Sequence, residues 1–219
     1  MTQVLTDISN NSIIVEQNKV DEELNKIGIT QNILIDACKA GLLSRANCTS
    51  FDTKGQAGYI QWNDTNSKLR LLTNNKGWEK YQENGIEGII SIDKTIRIIP
   101  SSGNAATGNP YQPASNKNPK GESCIKLIDK TCQGNIFTGY SEPEEEKFET
   151  YILLYYANSK ELRMELSKPS SIDKQGKINA WDIRLILEKQ FLNDLEVILE
   201  ENSEEETIDI PVIRKQSEG

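Results

Sequence analysis

The chain has 219 residues, with 25 basic and 33 acidic side chains, no histidine and a net charge of −8. The lack of histidine removes the commonest general base near neutral pH, the usual Ser/His and Cys/His nucleophile pairs, and histidine-based metal sites. The overall acidity argues against non-specific coating of DNA, and no apolar run reaches the ~18 residues of a membrane span.

The start, MTQVLTDISNNSIIVEQNKVDEEL, has neither a basic n-region nor an apolar h-region, so no secretory signal is expected. With four scattered cysteines, a reduced, cytoplasmic setting follows as the expectation. Residues 1–16 read as a flexible leader with a short apolar patch, Ile13-Ile14-Val15. Residues 17–138 read as a helical and mixed part. There NKVDEELNKIGIT predicts a helix, with Val20, Leu24 and Ile27 at helical spacing, acids early and Gly28 as the stop. Thr30 is a natural N-cap for a second helix, QNILIDACKAGLLS, whose stripe is Ile33, Leu34, Ala37, Cys38 and Leu42. A helical hairpin packed on a sheet fits this pair better than a DNA-binding helix-turn-helix. The second helix is too apolar to face bases, and the first presents Asp21, Glu22 and Glu23.

GYIQW reads as a short strand, with Asp64 or Thr65 then capping a helix that carries Leu69, Leu71 and Leu72. NNKG ends that helix and Trp78 returns to the core. EGIISIDKTIRIIP has two β-branched runs around Asp93-Lys94, a hairpin signal, and Pro100 is expected to end the second strand. The stretch Pro100–Cys124, PSSGNAATGNPYQPASNKNPKGESC, is polar and long; such loops are usually functional or disordered. GESCIKLIDKTCQG predicts a helix bounded by glycines. Residues 139–149 read as an acidic linker, residues 150–214 as an antiparallel sheet part and residues 215–219 as a tail, with one continuous domain as the alternative division. TYILLYYANSKELRMELSKP predicts a hairpin, DKQGKINAWDIRLILEKQ a third strand alternating through Trp181, Ile183, Leu185 and Leu187, and ETIDIPVIRK a final edge strand at Pro211. The fold class expected is α+β: an N-terminal helical hairpin, a mixed middle with a β-hairpin and a long polar loop, and a C-terminal antiparallel β-meander.

Charge is uneven. Residues 1–38 hold 2 basic and 6 acidic side chains, residues 39–130 hold 13 and 8, and residues 131–219 hold 10 and 19. A net-positive middle is the part suited to a polyanion. Within it, Gly103-x4-Gly108 follows an apolar strand as a phosphate loop would. Asn109 and Pro110 replace the required Lys and Ser/Thr, so a nucleotide P-loop is excluded. The loop's back end, Lys117, Lys120, Gly121 and Ser123, leads into a helix start, where free N–H groups favour an anion. Tyr59, Trp62, Trp78, Tyr81 and Tyr111 are interleaved with Lys54, Lys68, Arg70, Lys76, Lys80, Lys94 and Arg97. That is either a stacking groove with cations or core tryptophans beside a solvated lysine face. Cys38, Cys48, Cys124 and Cys132 lack zinc-knuckle spacing and read as small buried hydrophobes. No catalytic residue, metal or cofactor is assigned.

The runs YIQW, KLRLLTNNKGW, IEGIISIDKTIRIIPSSGNAATGNP and NPKG, with ELRMELSKP and GKINAWDIRLIL, resemble a family of small uncharacterised bacterial proteins from about residue 55 onward. The resemblance implies no activity and no catalytic residue; it implies a link to mobile or defence genes. The function expected is a binding or accessory module whose positive middle contacts nucleic acid or a nucleic-acid-handling protein. Lys94, Arg97, Lys117, Lys120, Gly121 and Ser123 are the candidate anion contacts. A protein–protein adaptor and a small enzyme on a phosphate-bearing ligand are the alternatives.

Overall fold

The computed structural model describes residues 12–133 and 148–195. The fold is α+β. The described residues form one mixed sheet of eight strands in the order β1-β7-β6-β5-β4-β3-β2, with β8 paired to β6. In chain order these are β1 (Ser12–Ile14), α1 (Gln17–Ile27), α2 (Gln31–Ala46), α3 (Gln56–Thr73), β2 (Trp78–Glu83), β3 (Ile86–Ser91), β4 (Ile96–Ser102), α4 (Glu122–Gln133), β5 (Glu149–Ala157), β6 (Glu161–Ile172), β7 (Ile178–Ile186) and β8 (Gln190–Phe191), followed by a helical turn, Leu192–Leu195.

The N-terminal helices form as their apolar spacing predicts. α1 stops at Gly28, whose φ of 81° is the left-handed conformation in which Ile29 N–H reaches back to the Leu24 carbonyl. α2 buries Leu34, Ile35, Ala37, Cys38 and Leu42. Its closest helical partner is α3. A Cβ on Gly41 would lie 2.1 Å from Thr65 Oγ1 and 2.4 Å from the Gln61 carbonyl, so only glycine permits this approach. Together with α1, these helices cover one face of the sheet, burying Val20, Leu24 and Leu69 with Ile98, Leu153, Met164, Leu166 and Leu185.

Three local expectations are corrected, and one strand was not foreseen. GYIQW is not a strand but the first turns of α3, which begins at Gln56. Its buried stripe is Gln61, Thr65, Asn66, Leu69 and Thr73, so polar side chains hide the helical period. The hydroxyls of Thr65 and Thr73 are satisfied within the helix, donating to the carbonyls of Gln61 and Leu69 at 2.7 and 2.8 Å. Ile13-Ile14 is not leader but lies in β1, parallel to β7. The charged run WEKYQE forms edge strand β2. Pro100 does not end β4, which runs on to Ser102 beside β5; the ladder to β3 ends at Ile98, so no N–H is needed there.

β5, β6 and β7 form the expected antiparallel meander, and β4 joins it by parallel pairing with β5. The alternation read through Trp181 breaks. Register shifts around Pro169 place Trp181 on the opposite face from Leu185 and Leu187. That second face is covered by α4 and the long loop, and buries Ile99, Ile128, Ile152, Leu154, Ile178 and Trp181. Residues 134–147 and 196–219, which include most of the acidic linker and the expected final strand, lie outside the described residues. No described helix is long and apolar enough to cross a membrane.

Candidate functional site

The residues expected to contact an anion fall into two groups at opposite ends of β4. Lys94 is exposed in the β3–β4 turn. Arg97 is buried, only 8% exposed. Its guanidinium lies 4.3 Å from the Phe148 ring centroid and 5.3 Å from that of Tyr81, and it donates to Tyr81 Oη at 3.0 Å. Arg97 is therefore an interior cation in an aromatic setting and presents no charge to an outside polyanion. Lys117, Lys120, Gly121 and Ser123 lie beyond the far end of the strand. The six residue steps from Ile96 to Ser102 at ~3.3 Å each put about 20 Å between the ends of the strand, and at the far end the Lys117 N–H donates to the Ser102 carbonyl at 2.8 Å.

The second group also divides. Lys117, Gly121 and Ser123 are exposed. Lys120 turns inward, its ammonium donating to Ser101 Oγ at 2.7 Å while its backbone N–H donates to the Gly176 carbonyl at 2.9 Å. Burial pulls the Lys120 amine below the usual lysine range, and the same enclosure pushes the neighbouring Cys124 thiol up. Among the described residues no carboxylate pairs with Lys120. Cys38 and Cys124 lie in the cores on opposite faces of the sheet, so these two do not share a site.

The long loop is ordered by charge. Glu165 on β6 and Arg184 on β7, both buried, form a two-pronged ion pair with N···O distances of 2.6 and 3.1 Å. The pair then reaches outward. Glu165 Oε2 accepts the Gly108 N–H at 2.9 Å, and Arg184 donates to the Gln112 and Asn109 carbonyls, both at 3.1 Å. Asn116 adds a second clamp, donating to the Gly176 carbonyl at 2.8 Å and accepting the Ile178 N–H at 2.8 Å. Trp181 Nε1 donates to the Ala114 carbonyl at 2.8 Å. A loop whose buried hydrophobics are only Ala106 and Ala114 is thus held by side chains that satisfy its backbone. The sequence carried a signal for this: opposite charges, Glu165 and Arg184, flanked by apolar residues in MEL and IRLIL.

An exposed aromatic and polar stripe runs along the outer side of α3. Tyr59 is 59% exposed. Its ring lies 5.9 Å from that of half-buried Trp62, tilted by 44°. Asn63, Ser67 and Leu71 continue along the exposed side, with Lys68 half-buried beside them. The stripe leads into a groove of about 630 Å³ whose walls include Arg70, Leu71, Asn74, Trp78, Lys80 and Ile92. Trp78 and Tyr81 belong to the core instead: Trp78 Nε1 donates to the Gly28 carbonyl at 3.0 Å, and each residue is 5% exposed. No family model, curated protein or solved structure matches the chain.

Proposed function

We propose that the chain is a non-enzymatic binding module that contacts single-stranded nucleic acid along the outer side of α3. The observation that carries this reading is the exposed Tyr59–Trp62 ring pair on a surface with few acids. Lys54 precedes the helix, Lys68 lies along it, and Asn63 and Ser67 lie between. Aromatic faces stack on bases of any sequence, and lysines neutralise phosphates. Asp64, engaged by Asn63 Nδ2 at 2.9 Å, is the acidic side chain within this stretch of helix. Lys120 and Arg97, turned inward, supply no contact to the nucleic acid.

Binding of labelled single-stranded oligonucleotides, followed by anisotropy, tests the reading. Affinity should fall steeply between about 50 and 200 mM salt. Tyr59→Ala and Trp62→Ala should each cost about 1–3 kcal/mol of binding, and Lys54→Ala with Lys68→Ala should flatten the salt slope. Absence of binding at low salt, or affinity indifferent to salt and to both ring substitutions, would reject it. Phe51, 98% exposed, and Leu43, 45% exposed, on the same helical hairpin support a protein partner as the second reading. A partner lost on Phe51→Ser and retained after nuclease treatment would favour that reading.

A further inference from the structure

The groove at the C-terminal end of α3 differs in chemistry from the stripe that leads to it. Its volume of about 630 Å³ lies within the ~300–1,000 Å³ of small-ligand clefts. Two apolar side chains open onto it, Leu71 and Ile92, 68% and 59% exposed. They come from separate elements. Leu71 belongs to the last turn of α3, and Ile92 follows β3, held by its N–H on the Gly77 carbonyl at 3.0 Å. Asn74 and Asn75, between α3 and β2, bring exposed side-chain amides to the wall.

The groove is poorly made for phosphate. Arg70, a cation in its wall, is engaged by the Glu87 carboxylate and by the Gly88 and Tyr81 carbonyls. Glu79 sets a carboxylate beside Lys80. The end of α3 is the negative end of its dipole, and its last carbonyls, that of Leu71 among them, have no partner within the helix. Such a site favours an uncharged, flat group with an amine donor: apolar side chains for its ring, amides and carbonyls for its edge.

We infer that the groove takes an adenine base of the strand held along α3, an inference that rests on the single-strand reading above. Leu71 joins the two surfaces. Tyr59, Asn63, Ser67 and Leu71 recur at every fourth position of α3. Twelve residue steps from Tyr59 to Leu71 span about 18 Å, or about five stacked base steps at ~3.4 Å. A strand stacked on Tyr59 and Trp62 therefore reaches the groove with a base further along. An asparagine amide offers the donor and acceptor that match adenine N7 and N6. Thymine has no exocyclic amine and leaves the acceptors of the site unmatched.

Fluorescence anisotropy on the intact chain, with labelled adenine, thymine and cytosine homo-oligomers of about 12 nucleotides each, tests this. The adenine oligomer should bind about five- to tenfold more tightly than the other two. The variant Asn74→Ala/Asn75→Gly should bind adenine and thymine oligomers alike. Glycine at position 75 keeps the left-handed backbone, φ 59°, while removing the amide. Equal affinities in the unmodified chain overturn the inference and leave the strand-binding reading standing. So does a preference for cytosine, or an adenine preference that survives the double substitution, which would come from stacking on the rings. If no oligomer binds at low salt, the strand-binding reading itself fails, and free adenosine, which has no phosphate, then probes the groove alone. In NMR titrations adenosine should shift the methyl signals of Leu71 and Ile92, and thymidine should not. Methyl signals indifferent to adenosine overturn the inference.

Discussion

On one face of the sheet, α1, α2 and α3 bury Leu24, Leu34, Leu42 and Leu69 against Ile98, Leu153 and Leu166. On the other, the loop after β4 lies over Glu165, Ser167 and Arg184, and its contacts are mostly hydrogen bonds from side chains to backbone. A helix satisfies its own backbone and needs only an apolar stripe; a loop cannot, so its support must supply donors and acceptors. The comparison shows that a loop with only Ala106 and Ala114 as buried hydrophobics can help cover a sheet that itself carries a paired charge. It also separates two kinds of failure: a cavity on the helical face, an unpaired charge on the loop face.

The largest expected effect is on the loop face. Arg184→Ala leaves Glu165 buried without its partner and should cost about 3–5 kcal/mol of stability in denaturant melts. The double variant Glu165→Leu/Arg184→Met should cost far less than the two single losses combined. If the costs simply add, the pair does not act as a unit. On the helical face, Leu34→Ala should cost about 2–5 kcal/mol through its cavity. It should leave the exchange protection of Gly108 N–H intact relative to global opening; loss of that protection at partial denaturation would show that the faces are not independent. Trp181→Phe removes the donor to the Ala114 carbonyl and should cost about 1–3 kcal/mol, with faster proteolysis within residues 109–115 as its marker.

The smallest effect concerns Lys120. Its folded-state pKa lies below the unfolded value because its charged form is desolvated. Folding therefore carries a penalty that is fully present below the folded pKa and disappears as pH rises to the unfolded value. Lys120→Met should raise the Tm at neutral pH, and its advantage over the parent chain should shrink as the pH approaches 10.5, the ordinary lysine value. A Tm lowered at neutral pH would mean that the hydrogen bond to Ser101 outweighs the desolvation.

The helices α1, α2 and α4, the hairpin of β3 and β4, and the meander of β5 to β7 were legible because each carries its burial in apolar spacing or β-branched runs. α3 was only half legible, since Gln61, Thr65 and Asn66 occupy buried positions that a hydrophobicity pattern treats as exposed. β2 was hidden for the converse reason: as an edge strand it buries Trp78 and Tyr81 and leaves the rest to solvent. Of the candidate anion contacts, the sequence identified cationic side chains but not their directions. Arg97 and Lys120 point inward because Tyr81, Phe148 and Ser101 reach them from other strands or from chain distant in sequence.

Composition, charge distribution and local periodicity by themselves determined the α+β class, most element positions and the length of the polar loop, because these depend on neighbours within a few residues. Tertiary structure alone decided that the loop is ordered and that β4 and β5 join both parts into one sheet. Each of those rests on partners tens of residues apart, such as Gly108 with Glu165 and Asn109 with Arg184, whose meeting no local pattern records.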